Sequence, residues 1–126
     1  MSGELDALDR ALERVGEDGV IRRYTGTGSN RPYFDARVRC LLVDAERATR
    51  LVNGLTQNQS VAVVSPAGLD AAQWPATVDP PKGDVRVPLK DDKLIVQQRV
   101  RNIEAAHPRY VDGELVRLTL VVEGRL

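Results

Sequence analysis

The sequence predicts a mainly β protein, a small antiparallel β-barrel with one N-terminal α-helix and long inter-strand loops. Three observations carry this expectation. In the last third of the chain, Val85 to Leu89, Leu94 to Gln97, Arg99 to Ala105 and Glu114 to Glu123 each read as a short strand bounded by turn residues. The joins Lys90-Asp91-Asp92-Lys93 and Val111-Asp112-Gly113 reverse the chain too quickly for a crossover helix, so these strands are antiparallel neighbours. Farther upstream, Phe34, Ala36, Val38, Cys40 and Leu42 alternate with Asp35, Arg37 and Arg39, the pattern of a strand with one buried face.

The 126 residues suffice for one domain, read as a helix within residues 1–18 followed by a barrel over 19–126. Leu5, Leu8, Leu12 and Val15 recur at helical spacing, Asp6 and Arg10 form a favourable i,i+4 pair, and Gly16 stands where a C-terminal cap belongs. The apolar stripe of that helix has two possible seats, the barrel of its own chain or a neighbouring subunit. A strand from about Val20 to Thr25 follows. Residues 26–32, Gly-Thr-Gly-Ser-Asn-Arg-Pro, then break it as an exposed loop.

After the alternating strand, Ala45, Ala48, Val52 and Leu55 allow a helical turn or two before Asn53-Gly54. Thr56-Gln57-Asn58-Gln59 is wholly polar, and a polar connection of this length in a compact barrel points to a functional loop. A third strand, Ser60 to Ser65, ends at Pro66, and residues 67–82 read as a loop containing Trp74-Pro75 and Pro80-Pro81. Trp74 has two readings: it plugs one end of the barrel, or it anchors an interface.

The composition excludes several functions. One cysteine, Cys40, precludes an internal disulfide and reads as a small buried hydrophobe, while one histidine, His107, leaves no Cys/His set for zinc or haem. The glycine loop lacks the Gly-Lys-Ser/Thr ending of a phosphate-binding loop. His107 precedes Pro108 in an expected turn and no serine lies in a nucleophile elbow, so no catalytic triad is expected. Asp91-Asp92, or Asp79 with Asp84, match no calcium loop. The expectation is a non-enzymatic protein without cofactor or metal. Residues 1–17 are acidic and lack the apolar core of a signal peptide, and no apolar run approaches a membrane span, so a soluble protein, not secreted by the usual route and without membrane contact, is expected.

Formal charge is zero, which argues against a protein whose main task is to coat nucleic acid. The distribution is asymmetric. Residues 1–18 carry six acids against Arg10 and Arg14, whereas residues 19–50 carry seven arginines against Asp35, Asp44 and Glu46. Two readings fit: complementary surfaces between subunits, or two solvated faces that maintain solubility.

Taken in order, Asn53-Gly54-Leu55-Thr56-Gln57 leading to residues 61–66, then Gln73-Trp74-Pro75, Lys82-Gly83-Asp84, Arg101-Asn102-Ile103 and the run from Pro108 to Val122 resemble the small neck proteins of tailed bacteriophages and prophages. The likeness, from about Val15 to Gly124, is to the head-closure or stopper type of head-tail connector. The chain departs from that pattern at Lys90-Asp91-Asp92-Lys93, where a tighter Asp-Gly turn is usual.

The resemblance implies a small β-barrel in a closed homo-oligomeric ring, hexamer or dodecamer, in the virion neck. Such a ring is assembled in the cytoplasm of the bacterial host. It meets a portal or adaptor on the head side and a tail terminator or tail tube on the other, and retains packaged double-stranded DNA non-specifically. It also implies that residues 44–59 project toward the channel, making Arg47, Arg50, Asn53, Gln57, Asn58 and Gln59 the candidate gate residues. Arg22, Arg23, Arg37, Arg39 and Trp74 are the candidate interface residues. Two alternatives stand beside it: a tail-terminator ring subunit, and a free-standing barrel-type binding module.

Overall fold

A computed structural model describes residues 3–26, 28–48, 54–55, 58–74 and 86–124. Helix α1 (Gly3–Val15) leads into β1 (Glu17–Tyr24) and β2 (Tyr33–Asp44). A single helical turn, α2 (Ala45–Ala48), precedes β3 (Gln59–Val64), and α3 (Ala67–Ala71) follows it. Strands β4 (Lys93–Val96), β5 (Arg99–Val111) and β6 (Glu114–Glu123) complete the sheet. The strands close a barrel in the order β1-β2-β3-β6-β5-β4, every pairing antiparallel. Closure thus rests on two pairings between strands distant in sequence, β3 with β6 and β1 with β4.

The barrel interior is filled. Ile21, Ala36, Val38, Cys40, Ala62, Val64, Leu94, Val96, Ile103, Leu118, Leu120 and Val122 form one buried cluster, the inward face of every strand. Alternation in β2 places Ala36, Val38 and Cys40 inside, with Phe34 and Leu42 packed partly against them, as the sequence pattern requires. Strands β3 and β6 are apolar on successive residues because both their faces are covered. Val61 and Val121 pair directly and are buried outside the central cluster, on the side where α1 lies on β2 and β6 and α2 on β2 and β3.

Of the two seats open to the stripe of α1, the helix takes the barrel of its own chain. Leu12 is buried and Leu5 and Leu8 half-buried, while Val15 falls outside the contact and is 62% exposed. The Gly16 amide closes the helix on the Leu12 carbonyl at 2.9 Å.

Four expectations are corrected. Residues 86–89 form no strand: Pro88 has no N–H for a ladder, and the Leu89 amide is taken by the Asp92 carboxylate at 2.8 Å. Val85 lies outside the described residues. The segment after Pro66 is helical over Ala67–Ala71, not a loop. His107 sits in β5, opposite Thr119, not in a turn. Strand β5 can continue through Pro108 because β4 covers only Arg99–Asn102, so the proline's missing donor faces an unpaired edge. Finally, the sequence expectation that Val116, Leu118, Leu120 and Val122 all face the core holds for the last three, whereas Val116 lies outside the central cluster. A register shift between Arg109 and Tyr110 leaves Val116 unpaired and gives the inward position to Leu115.

Candidate functional site

The two barrel ends are furnished differently. At one end β2 finishes and β3 begins, so α2 and the residues Asn58 and Gln59 lie there. At the other, β1 finishes at Tyr24 and β2 begins at Tyr33. Of the gate residues proposed from sequence, Arg47, Asn58 and Gln59 therefore lie at the opposite end of the barrel from the interface residues Arg22, Arg23 and Trp74.

At the first end, Arg47 is exposed, and its amide donates to the Asp44 carboxylate at 2.9 Å, so Asp44 caps α2. Arg50, Asn53 and Gln57 lie outside the described residues. Asn58 and Gln59 are anchored: the Asn58 carbonyl accepts the Gly124 amide at 2.7 Å, and the Gln59 side chain donates to Glu104. These two residues form the root of the connection.

The arginines of β1 and β2 serve mainly their own chain. Arg22 forks onto Asp35, directly opposite in register, at 2.8 and 2.9 Å, and these bonds, followed by one from Arg22 to the Tyr24 hydroxyl, hold the guanidinium above its ordinary pKa. Arg23 points inward and pairs with Asp92 at 2.8 Å. Arg39 donates to the Leu12 and Gly16 carbonyls at 2.7 and 2.9 Å and reaches Asp18 at 3.1 Å. Since the Asp18 side chain is 91% exposed, the stronger contribution of Arg39 is to the carbonyls at the C-terminus of α1, where it shares the Leu12 oxygen with the Gly16 amide. Arg37 is exposed and has no carboxylate within ion-pair distance among the described residues.

Helix α1 is further strapped down by Arg109, which donates to Glu4 at 2.5 Å and lowers that carboxyl below its ordinary pKa, and by the Ser65 hydroxyl donating to Asp9.

Trp74 adopts the first of its two readings. It is 3% exposed within the central cluster, its indole N–H donates to the Phe34 carbonyl at 3.0 Å, and the Arg23 guanidinium lies 4.5 Å above its ring. With Leu69 of α3 it closes the barrel at the end of β1. Little of the ring is left for an external partner.

An aromatic and arginine cluster stands outside that same end. Tyr24 and Tyr33 are cross-strand partners whose rings meet edge to face at 5.7 Å. Arg22 lies 3.8 Å over Tyr33, and Arg31 lies 4.4 Å over Tyr24. Read along the sequence, these aromatics do not cluster. The signal that unites them is hairpin closure, since the pairing that joins Thr25 to Pro32 places Tyr24 opposite Tyr33.

Among the described residues, no group of three or more His, Cys, Asp or Glu side chains is placed to hold a metal ion, and no helix is long and apolar enough to cross a membrane. Comparison with protein-family models and with curated proteins yields no match to this chain.

Proposed function

We propose that the protein is a structural subunit of the neck of a tailed-phage virion, of the head-closure type, working as one member of a closed ring between portal or adaptor and tail. Support comes from the ordered resemblance of its turn and strand motifs, together with one structural feature: a closed barrel, filled with side chains, whose two ends carry different elements. A filled barrel provides no passage of its own, so a DNA channel would have to run between subunits. A ring subunit needs two unlike faces, because ring contacts are heterologous.

In this reading the connection from Asp44 to Gln59 serves the channel or the next subunit. The exposed Arg37, together with Val20 and Ile95 beside it in register, offers a side face to a neighbour. The deciding experiment is deletion of the gene from its phage or prophage. Separate tails with leaking or DNA-filled heads are expected. Complete infectious particles lacking the protein defeat the proposal, and joined particles with misregulated tail length reassign it to the tail terminator.

A further inference from the structure

Helix α1 is tied to the barrel by contacts that barrel closure does not require. None of the six strand pairings includes one of its residues. Of its 13 residues only Leu12 is buried, so apolar contact alone holds it thinly. Three polar contacts spread along the helix complete the attachment: Glu4 on Arg109 of β5, Asp9 on Ser65 between β3 and α3, and the Leu12 carbonyl on Arg39 of β2. On the side where α1 lies, Leu41, Val63 and Thr119 are paired in one outward row across β2, β3 and β6, Thr119 buried and the other two half-buried. Such a row, bounded by Arg39 and Arg109, fits an acidic amphipathic helix.

The chain's own α1 is the helix that the structure shows to fit. A second copy carries the same helix, and α1 seated in trans makes the contacts that it makes in cis. The two arrangements differ only at the junction. That junction is one residue long, with α1 ending at Val15 and β1 beginning at Glu17, and a connection this short favours exchange once it is prevented from bending. Gly16 permits the bend: a Cβ there would stand 2.6 Å from the Leu12 carbonyl oxygen and 2.9 Å from that of Cys40. Arg39 clamps it, donating to the Leu12 carbonyl before the bend and the Gly16 carbonyl at it, at 2.7 and 2.9 Å.

We infer that α1 is an exchangeable element: the strip between Arg39 and Arg109 accepts the α1 of a second copy in place of its own, giving a reciprocal dimer. Gly16 and Arg39 hold the chain in the closed, monomeric form. The occupant follows from the fit of α1 to its own seat, and the inference does not rest on the neck reading. A reciprocal exchange pairs the same surface on both copies, unlike the heterologous contacts of a ring.

The test is light scattering and native mass spectrometry on the full chain. Gly16→Ala should move the protein from monomer to dimer. In that background, chains carrying Glu4→Arg and chains carrying Arg109→Glu each place like charges at their own seats, whereas a mixed dimer has opposite charges at both. Mixing them should therefore give heterodimer several-fold beyond the random proportion. A Gly16→Ala protein that stays monomeric at every concentration, or a dimer with no preference on mixing, overturns the inference. Should Gly16→Ala fail to fold, Arg39→Gln decides, since it removes the clamp and adds no bulk. A dimer fraction that rises with protein concentration and pairs selectively in the same mixing experiment supports exchange; a monomer at every concentration overturns it.

Discussion

Arg23 and Asp92, 69 residues apart in sequence, form a two-pronged ion pair at the mouth of the barrel, with both side chains nearly buried at 12% and 7% exposure. The pair is the keystone of that end. Arg23 also covers Trp74, and Asp92 also accepts the Leu89 amide, so one contact fixes β1, the tryptophan plug and the chain entering β4. Removing one partner leaves a buried charge without compensation. Asp92→Ala should therefore destabilise by roughly 3–5 kcal/mol, and Arg23→Met combined with Asp92→Leu should recover much of that loss. Urea unfolding of the single and double variants measures it; additive losses would show that the pair is not coupled.

The register shift in β6 makes Leu115 a core residue. Leu115→Ala should cost about 2–5 kcal/mol, as should Leu118→Ala in the middle of the strand. Both side chains are essentially inaccessible and belong to the central cluster. Equilibrium denaturation tests this, and a Leu115→Ala variant of unchanged stability would contradict the inward position.

Cys40 is fully buried, and burial, reinforced by the nearby Glu17 carboxylate, pushes its thiol from an ordinary value of 9.0 up to about 11. The folded protein should therefore react with a thiol reagent only as fast as it unfolds. The sign of the pH effect follows from the raised value. Below pH 9.0 both states keep the proton and the contribution to stability is complete; between 9.0 and about 11 the unfolded thiol ionises first, so stability falls as pH rises. Cys40→Val should remove this alkaline slope, as thermal unfolding across that range would reveal.

The β4–β5 turn is built from Gln97 and Gln98, with φ of 55° and 61°. Two successive left-handed residues are the mark of a turn that favours Asn-Gly, and non-glycine residues hold it under strain. Replacing Gln97-Gln98 with Asn-Gly should stabilise the protein by roughly 1 kcal/mol. A lower melting temperature would show that the Gln97 side-chain bond to Glu17, at 3.1 Å, outweighs the relieved strain.

Gly68 is the point where α3 lies against β2. A Cβ there would stand 2.1 Å from the Arg37 carbonyl oxygen and 3.1 Å from the Val38 Cα, both rigid backbone. Gly68→Ala must lift α3 and withdraw Leu69 from the barrel mouth, at a cost of at least about 1–3 kcal/mol. Increased fluorescence exposure of Trp74, the only tryptophan, would accompany the loss.

Local pattern alone determined a good part of this molecule. The N-terminal helix and its end at Gly16, the alternation of β2, the existence of strands β3 and β6, and the Asp112-Gly113 turn were legible, because each depends on residues within a few positions of one another. The basic character of Arg22, Arg23, Arg37 and Arg39 was legible too, but not their employment. Only the tertiary arrangement decided that Arg23 turns inward to Asp92, that Arg39 caps α1 and that Arg37 stays exposed, while closure of the β1–β2 hairpin set Tyr24 against Tyr33 beneath two guanidinium groups. Closure likewise converted Trp74 from loop punctuation into a plug and placed Leu115 inside in preference to Val116. The physical reason is the same in each case. A side chain's direction follows from its own strand, whereas its partner is set by which distant strand lies alongside and in what register, and a single bulge reverses every face beyond it.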